Sequence, residues 1–292
     1  MDRRRFSFTN ELKRCLNHSL TTGVQMESGT RGNDMRHCDN SRISWDAISA
    51  AYQQRRQLST QIVNLGALVE DGLGARLLGD VQGKRILDTG CGGGQNAVAL
   101  ARLGAQMMGI DVSKAQIAYA RTLAAAEGFE IPFAVCDAGT LGELADEKWD
   151  LVLSISVLHY LEDPVPAINE AARALLPGGR LVASVDHPIR ALFWESDAEE
   201  WSLVPVREYH AQENDRSAIW RYPDTDVALT TWHHTVEEWV AMVQGAGLQL
   251  TALLEPSVPV DLLDELWPQD DALSPLRCIP HTLILVANKP LQ

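Results

Sequence analysis

Residues 86–94, Ile-Leu-Asp-Thr-Gly-Cys-Gly-Gly-Gly, constrain the fold of this chain more than any other stretch. Ile86 and Leu87 close a buried strand. Gly90, Gly92, Gly93 and Gly94 make a turn, and helical periodicity begins at once with Ala97, Val98, Leu100, Ala101 and Leu103. Glycines there let the backbone turn tightly and let a ligand approach with no Cβ in the way. Twenty-one residues after Gly90, a second strand, Met107-Met108-Gly109-Ile110, ends on Asp111. An acid at that tip is the usual acceptor for a ribose diol, so the pair of features points to a nucleoside-containing ligand.

From residue 84 to 186 the chain alternates strand and helix. A strand over 84–88 leads to a helix ending at Gly104, and a strand over 106–110 follows. Ser113 caps a helix that runs to Glu127 and stops at Gly128. Phe133–Cys136 and Trp149–Ser156 read as strands, the second almost wholly apolar, as a strand buried on both faces should be. Pro164 opens a helix through Leu176, Pro177-Gly178-Gly179 turns the chain, and Arg180–Val185 is a fifth strand. Such alternation predicts a doubly wound α/β fold, with ligands at the carboxyl ends of a parallel sheet.

The flanking regions are less regular. Residues 1–43 are polar and rich in Arg and Gly, with Arg3, Arg4 and Arg5 ahead of Lys13 and Arg14, and read as a disordered or transit-like tail. Met26 and Met35 are alternative starts. Ser44 is the expected N-cap of a helical cap over 44–83, in which Ile48, Tyr52, Leu58, Ile62, Leu65 and Leu68 recur at helical spacing with a break near Arg55–Ser59. Residues 84–292 form the main domain. Within it, 187–232 break the βα rhythm and carry Trp194, Trp201, Trp220 and Trp232, which predicts an inserted lid over the ligand face. Thr235 caps a helix over 236–245, and strands over 248–254 and 281–288 flank a proline-rich stretch. Two strands with no crossover helix predict an antiparallel final hairpin and a mostly parallel seven-stranded sheet.

Composition narrows the partners. A formal net charge of −14 argues against general affinity for nucleic acid or anionic lipid. No apolar run approaches the roughly 20 residues of a membrane span. Five cysteines lie scattered with no C-x-x-C pair, so neither a disulfide framework nor a zinc site is suggested and a cytoplasmic setting is expected.

Together, Leu-Asp-Thr-Gly-Cys-Gly-Gly-Gly (87–94), Gly-Ile-Asp-Val-Ser (109–113), Cys-Asp-Ala (136–138), Trp-Asp-Leu-Val-Leu-Ser-Ile-Ser-Val-Leu-His-Tyr-Leu (149–161) and Leu-Leu-Pro-Gly-Gly-Arg-Leu (175–181) resemble the class I S-adenosylmethionine-dependent methyltransferases. The likeness is to the small-molecule type, similar to the ubiquinone- and menaquinone-biosynthesis enzymes. It is strong over 84–186, weaker over 233–289, and silent for the tail and the insertion. A Gly-x-Gly-x-x-Gly dinucleotide fingerprint is absent, because Gln95 stands three residues past Gly92.

The resemblance implies a site for S-adenosyl-L-methionine. Gly90, Gly92 and Gly94 would pass close to the methionine part, Asp88 would sit near its amino group, and Asp111 would hold the ribose hydroxyls. Asp137 would accept from the adenine amine, with Val112 and Ala138 packed on the ring. Ser154 and Ile155 would line the floor below the methyl group, and Tyr52 and Arg55 would close over the carboxylate. Bland roles stay open beside these: Asp137 as a turn cap, Asp88 as a holder of loop amides, Arg55 as a solvated charge.

Methyl transfer from a sulfonium is an in-line displacement, so positioning supplies much of the acceleration. A base is needed only for an acceptor proton of high pKa, and His159 and His187 are the candidates, a structural imidazole being the alternative at each. Trp45, Tyr160, Arg190, Trp194 and Trp232 are the expected substrate-facing residues. His233 and His234 lack a third ligand, so no metal site is expected.

The function expected is methylation at O, N or C of a small hydrophobic or aromatic metabolite in biosynthesis, a prenyl diphosphate or terpenoid being one specific candidate. The alternatives are a protein or RNA methyltransferase, or a silent cofactor-binding regulator. Partners reduce to the small-molecule substrate and a second copy in a homodimer.

Overall fold

The computed structural model describes residues 35–146 and 149–291, so the tail expected over residues 1–34 lies outside the described residues. Helix α1, Met35–Arg56, begins ahead of Ser44 and carries the chain straight across the expected boundary at 43/44. Gln57 then takes a left-handed φ of 41°, which stops the helix.

The helix expected beyond that break does not form. Residues 57–69 are irregular, although Val63, Leu65, Leu68 and Val69 are buried as a helix's apolar stripe would be. Asn64 and Asn96 hold the segment in place: the Asn64 N–H donates to Asn96 Oδ1 at 2.8 Å, and Asn96 Nδ2 donates to the Asn64 carbonyl at 2.9 Å. Helix α2, Leu73–Leu78, is short.

The rest follows the expected order with small shifts in bounds. Strand β1, Arg85–Thr89, precedes helix α3, Gln95–Arg102; strand β2, Gln106–Asp111, precedes helix α4, Lys114–Ala126. Ser113 does cap α4, accepting the Gln116 N–H. Strands β3, Phe133–Val135, and β4, Trp149–Ile155, come next, then helix α5, Val165–Ala174. Strand β5, Leu175–Asp186, starts earlier than expected because the Pro177-Gly178-Gly179 turn is absorbed as an irregularity. Its pairing with β4 jumps from Trp149↔Leu175 to Leu151↔Arg180.

The insertion holds helix α6, Pro188–Ala191, and two hairpins: β6, Trp194–Glu195, with β7, Glu200–Trp201, and β8, Ser217–Arg221, with β9, Ala228–Trp232. Helix α7, Val236–Gly245, opens on a full capping box between Thr235 and Glu238. Strand β10, Gln249–Leu254, helix α8, Val260–Leu266, and strand β11, Thr282–Asn288, complete the chain's elements.

The large sheet has the order β10-β11-β5-β4-β1-β2-β3. The pairs among β1 to β5 are parallel, and β11 runs antiparallel to both β5 and β10, as the hairpin expectation required. Side-chain alternation divides the core by sheet face. Leu87, Val152, Ala183 and Leu285 pack with α5 and Trp239 of α7; Ile86, Leu151, Val182 and Ile284 pack with α3 and α4. Strands buried on both faces explain the near-continuous apolar runs. No described helix is long and apolar enough to cross a membrane.

Candidate functional site

The carboxyl ends of β1, β4 and β5 open onto one cavity of about 300 Å³, roofed by α1 and the insertion. Its floor is the loop after β1. Asp88 is 2% exposed there and its Oδ2 has no hydrogen-bond partner. Burial, reinforced by repulsion from Asp111, pushes the Asp88 carboxyl up to about 7. A buried acceptor without a donor beside open space is a group prepared for a cationic or N–H-bearing ligand.

The glycines of the loop serve different ends. A Cβ on Gly90 would stand 2.4 Å from Val157 Cγ2, and one on Gly93 would stand 2.4 Å from the Gln53 amide of α1. On Gly92 a Cβ would meet nothing within 4 Å, so this position borders open space. Gly94 does not line the cavity. Its missing side chain lets α3 start against Ala120 and Phe133, a packing need rather than contact with a ligand. Gln53 ties α1 to the loop through a buried chain of amides: Gln95 Nε2 donates to Gln53 Oε1 at 2.5 Å, and Gln53 Nε2 donates to Gln116 Oε1 at 2.7 Å. Cys91 is buried, and that burial pushes its thiol well up, away from the thiolate that a nucleophile needs.

Of the other expected cofactor residues, Tyr52 and Ile155 line the cavity. Asp111, Val112, Asp137 and Ala138 sit half-buried at the ends of β2 and β3, outside the lining. Asp111 accepts the N–H groups of Gly92 and Ser113, each at 2.9 Å, and these bonds oppose the upward push of burial on its carboxyl. Asp137 accepts the Gly139 N–H at 2.7 Å.

Besides Gly94, two placements among the cofactor residues differ from expectation. Ser154 lies on the opposite side of β4, in a small gap with Thr89 and Leu158, because successive strand residues face opposite ways; Ser156, at a φ of 57°, reaches the cavity instead. Arg55 pairs with Asp224 and donates to the Pro223 carbonyl at 3.2 Å, and its neighbour Arg56 lines the cavity. One helical residue is about 100° of rotation, enough to turn an arginine from cavity to lid.

The catalytic candidates separate. His187 does not line the cavity. It is 1% exposed, its Nδ1 accepts the Ile189 N–H at 3.1 Å as the N-cap of α6, and its Nε2 meets Glu255 at 2.8 Å. Both nitrogens are committed to structure. His159 does line the cavity, on the 3-10 turn Leu158–Tyr160 that follows β4. Its Nδ1 accepts the Asp186 N–H over a long 3.4 Å, which places the proton of the neutral ring on Nε2. Burial lowers its pKa and keeps that ring neutral.

The acceptor side is aromatic. Trp45 stands edge-on to Tyr52 at 5.5 Å and to Tyr160 at 5.3 Å. Arg190 lines the cavity, paired with Asp186 and lying 5.0 Å over the Trp201 ring. Trp194 and Trp232 reach it from the insertion, with Trp201 and Trp220. His233 and His234 lie at its edge, and no cluster of three metal-ligating side chains occurs among the described residues.

Sequence reasoning missed Asp186, which lines the cavity. Asp186 ends β5, where the rule that ligands collect at carboxyl ends of parallel strands could have found it.

Comparisons with known proteins agree with this geometry. Residues 87–183 match the family model described as a methyltransferase domain. The ubiquinone biosynthesis O-methyltransferase of Alkalilimnicola ehrlichii is 37% identical over 110 residues, a match covering 38% of this chain and 44% of that protein, so it spans less than half of the relative's length. The crystal structure of an S-adenosylmethionine-dependent methyltransferase from Mesorhizobium loti superposes with a TM-score of 0.56 at 26% identity, over 73% of this chain and 94% of that one. The fold is also shared with the 1,6-didemethyltoxoflavin-N1-methyltransferase of Burkholderia thailandensis, at a TM-score of 0.57 and 14% identity over 90% and 93% of the two chains. Residues 87–183 thus match a methyltransferase domain set on a Rossmann-like sheet, and the chain resembles the class I S-adenosylmethionine-dependent methyltransferases, the ubiquinone-biosynthesis O-methyltransferases among them.

Proposed function

We propose that this protein transfers a methyl group from S-adenosyl-L-methionine to a small, flat, largely apolar metabolite. The observation that carries the reading is Asp88, whose buried Oδ2 has no donor, in a cavity also lined by Arg56, which has no acid partner among the described residues. An amino acid zwitterion has an ammonium for the first and a carboxylate for the second. Open space at Gly92 suits the chain between those two groups. When bound, S-adenosylmethionine supplies a methyl group on a positively charged sulfur.

The residues of this chain then have positional work. Asp88 and Arg56 hold the two ends of the zwitterion, and Tyr52 covers it from α1. Asp111 takes the ribose, with Val112, Asp137 and Ala138 toward the base. Calorimetric titration of S-adenosylmethionine and S-adenosylhomocysteine tests this directly. Micromolar binding is expected for the wild type, and Asp111→Ala is expected to weaken it by about 100-fold or more. Absence of binding to either ligand would sink the reading.

His159 acts as a hydrogen-bond donor that orients the acceptor, not as its base. A lone pair on Nε2 would require a proton on Nδ1, facing the Asp186 N–H, and two donors cannot share one bond. His159→Gln, which keeps an amide donor, is therefore expected to retain turnover within about tenfold and to leave the pH profile unchanged. Removal of a true base would cost about 10²–10⁴-fold and delete an ionisation from the profile.

A further inference from the structure

The insertion's end of the cavity contains a cation that makes no ion pair among the described residues. Arg207 lines the cavity, and its guanidinium is held only by neutral acceptors: the Ser217 carbonyl at 3.2 Å, the Trp194 carbonyl at 3.5 Å and Ser196 Oγ at 3.4 Å. Among the described residues no carboxylate lies within ion-pair distance of it, and Glu195 acts on it only at longer range. Arg190, nearby over Trp201, has its charge met by Asp186.

Three unsatisfied groups of this wall share a polarity; His233 Nδ1, left as an acceptor because Nε2–H donates to the Tyr209 carbonyl, is the exception. The Nε–H of Arg207, the Nε–H of Arg190 and the indole N–H of Trp201 all lack partners, and all three can only donate. Trp201 is 7% exposed, so water does not readily serve it. A buried donor left unmet is costly, so a wall with three of them favours a ligand rich in acceptors. Trp194 and Trp201, edge to face at 5.3 Å, add a broad apolar surface beside the charge.

We propose that the methyl acceptor is an organic anion with a flat apolar body, a carboxylate or a phosphate ester whose charge is met by Arg207 while its rings lie on the tryptophan wall. This deepens the methyl-transfer reading and rests on it only for the ligand's being the acceptor. Asp88 and Arg56, at the floor and under α1, serve the other ligand, so the cavity would hold two negative groups at two separate cations.

The test uses three probes of one shape: 2-naphthoate, 2-naphthyl phosphate and the neutral 2-naphthamide, titrated calorimetrically with and without S-adenosylhomocysteine. One of the two anions is expected to bind the wild type at least about tenfold more tightly than the amide, and which one does so separates carboxylate from phosphate. Arg207→Gln is expected to erase the preference and Arg207→Lys to keep part of it. Arg76→Gln, at an exposed pair with Glu70, should leave it unchanged.

Equal or tighter binding of the amide, no binding of either anion, or a preference that survives Arg207→Gln would each overturn the proposal. Should Arg207→Gln fail to fold, the wild-type comparison decides alone. Anion preference without S-adenosylhomocysteine binding would keep the anion site and remove methyl transfer; the reverse pattern would do the opposite.

Discussion

Asp88→Asn is expected to weaken S-adenosylhomocysteine binding about 100-fold at about pH 8 and only slightly at about pH 5.5. The carboxyl is pushed up to about 7 by burial and by Asp111, from 3.8 in the unfolded chain. At low pH the folded protein carries a neutral acid there, much like an amide. At high pH it carries a buried charge that an ammonium would meet, and only the wild type gains that charge. Ligand binding should therefore release a proton near neutrality, seen as a binding heat that depends on the buffer.

The same shift has a consequence for stability, with the opposite sign. Because the folded-state pKa is raised, the ligand-free fold binds the extra proton between about pH 4 and pH 7, and stability falls as pH rises through that window. Asp88→Asn should abolish that slope and stabilise the fold above neutrality by on the order of a few kcal/mol, read as a higher melting temperature. A variant more stable yet poorer at binding is the expected outcome. Equal loss of affinity at both pH values would show that the charge is not what the ligand meets.

The second large effect concerns the loop glycines. Gly90→Ala combines a left-handed φ of 69° with a Cβ placed 2.4 Å from Val157 Cγ2 and 3.0 Å from Cγ1. Backbone strain of about 1–2 kcal/mol and overpacking of about 1–3 kcal/mol should add, because both act on one atom. Thermal unfolding should show the loss, and S-adenosylhomocysteine binding should become undetectable. Adding Val157→Ala should recover the packing part but not the strain. Gly92→Ala has a φ of 53° and no neighbour within 4 Å, so it should cost only about 1 kcal/mol while still blocking the ligand. A Gly92→Ala protein that binds normally would mean that the open space at this glycine is not used.

What the sequence disclosed was local. Ser113 and Thr235 as helix caps, and Gly104 and Gly128 as stops, all act within a few residues, so spacing alone exposes them. The alternation from β1 to β5 is legible for the same reason. Residues 57–69 misled because the apolar spacing at Leu58, Ile62, Leu65 and Leu68 imitates a helix, while the segment's shape comes from Asn96, a partner 32 positions from Asn64. At the site, the errors are those of direction. Ser154 lies within β4 and Ser156 just past its end, and Arg55 and Arg56 are adjacent on one helix, yet in each pair only the second faces the cavity. His187 was drawn into structure by Glu255, 68 positions away, which no periodicity reveals.

Helix α1 and the β8–β9 hairpin are stitched together above the cavity. Ser44 Oγ donates to the Ala228 carbonyl at 2.8 Å, Arg55 grips Asp224 and Pro223, the Tyr222 hydroxyl donates to the Ala51 carbonyl at 3.4 Å, and Ile48 packs on Tyr222 and Leu229. Such a roof makes ligand traffic a matter of time as well as affinity. Each arrival and departure must wait for the seam to part, so association should run well below the encounter limit of about 10⁹–10¹⁰ per molar per second. Spent cofactor would then linger, and its escape, rather than bond-making, would set the rhythm of turnover.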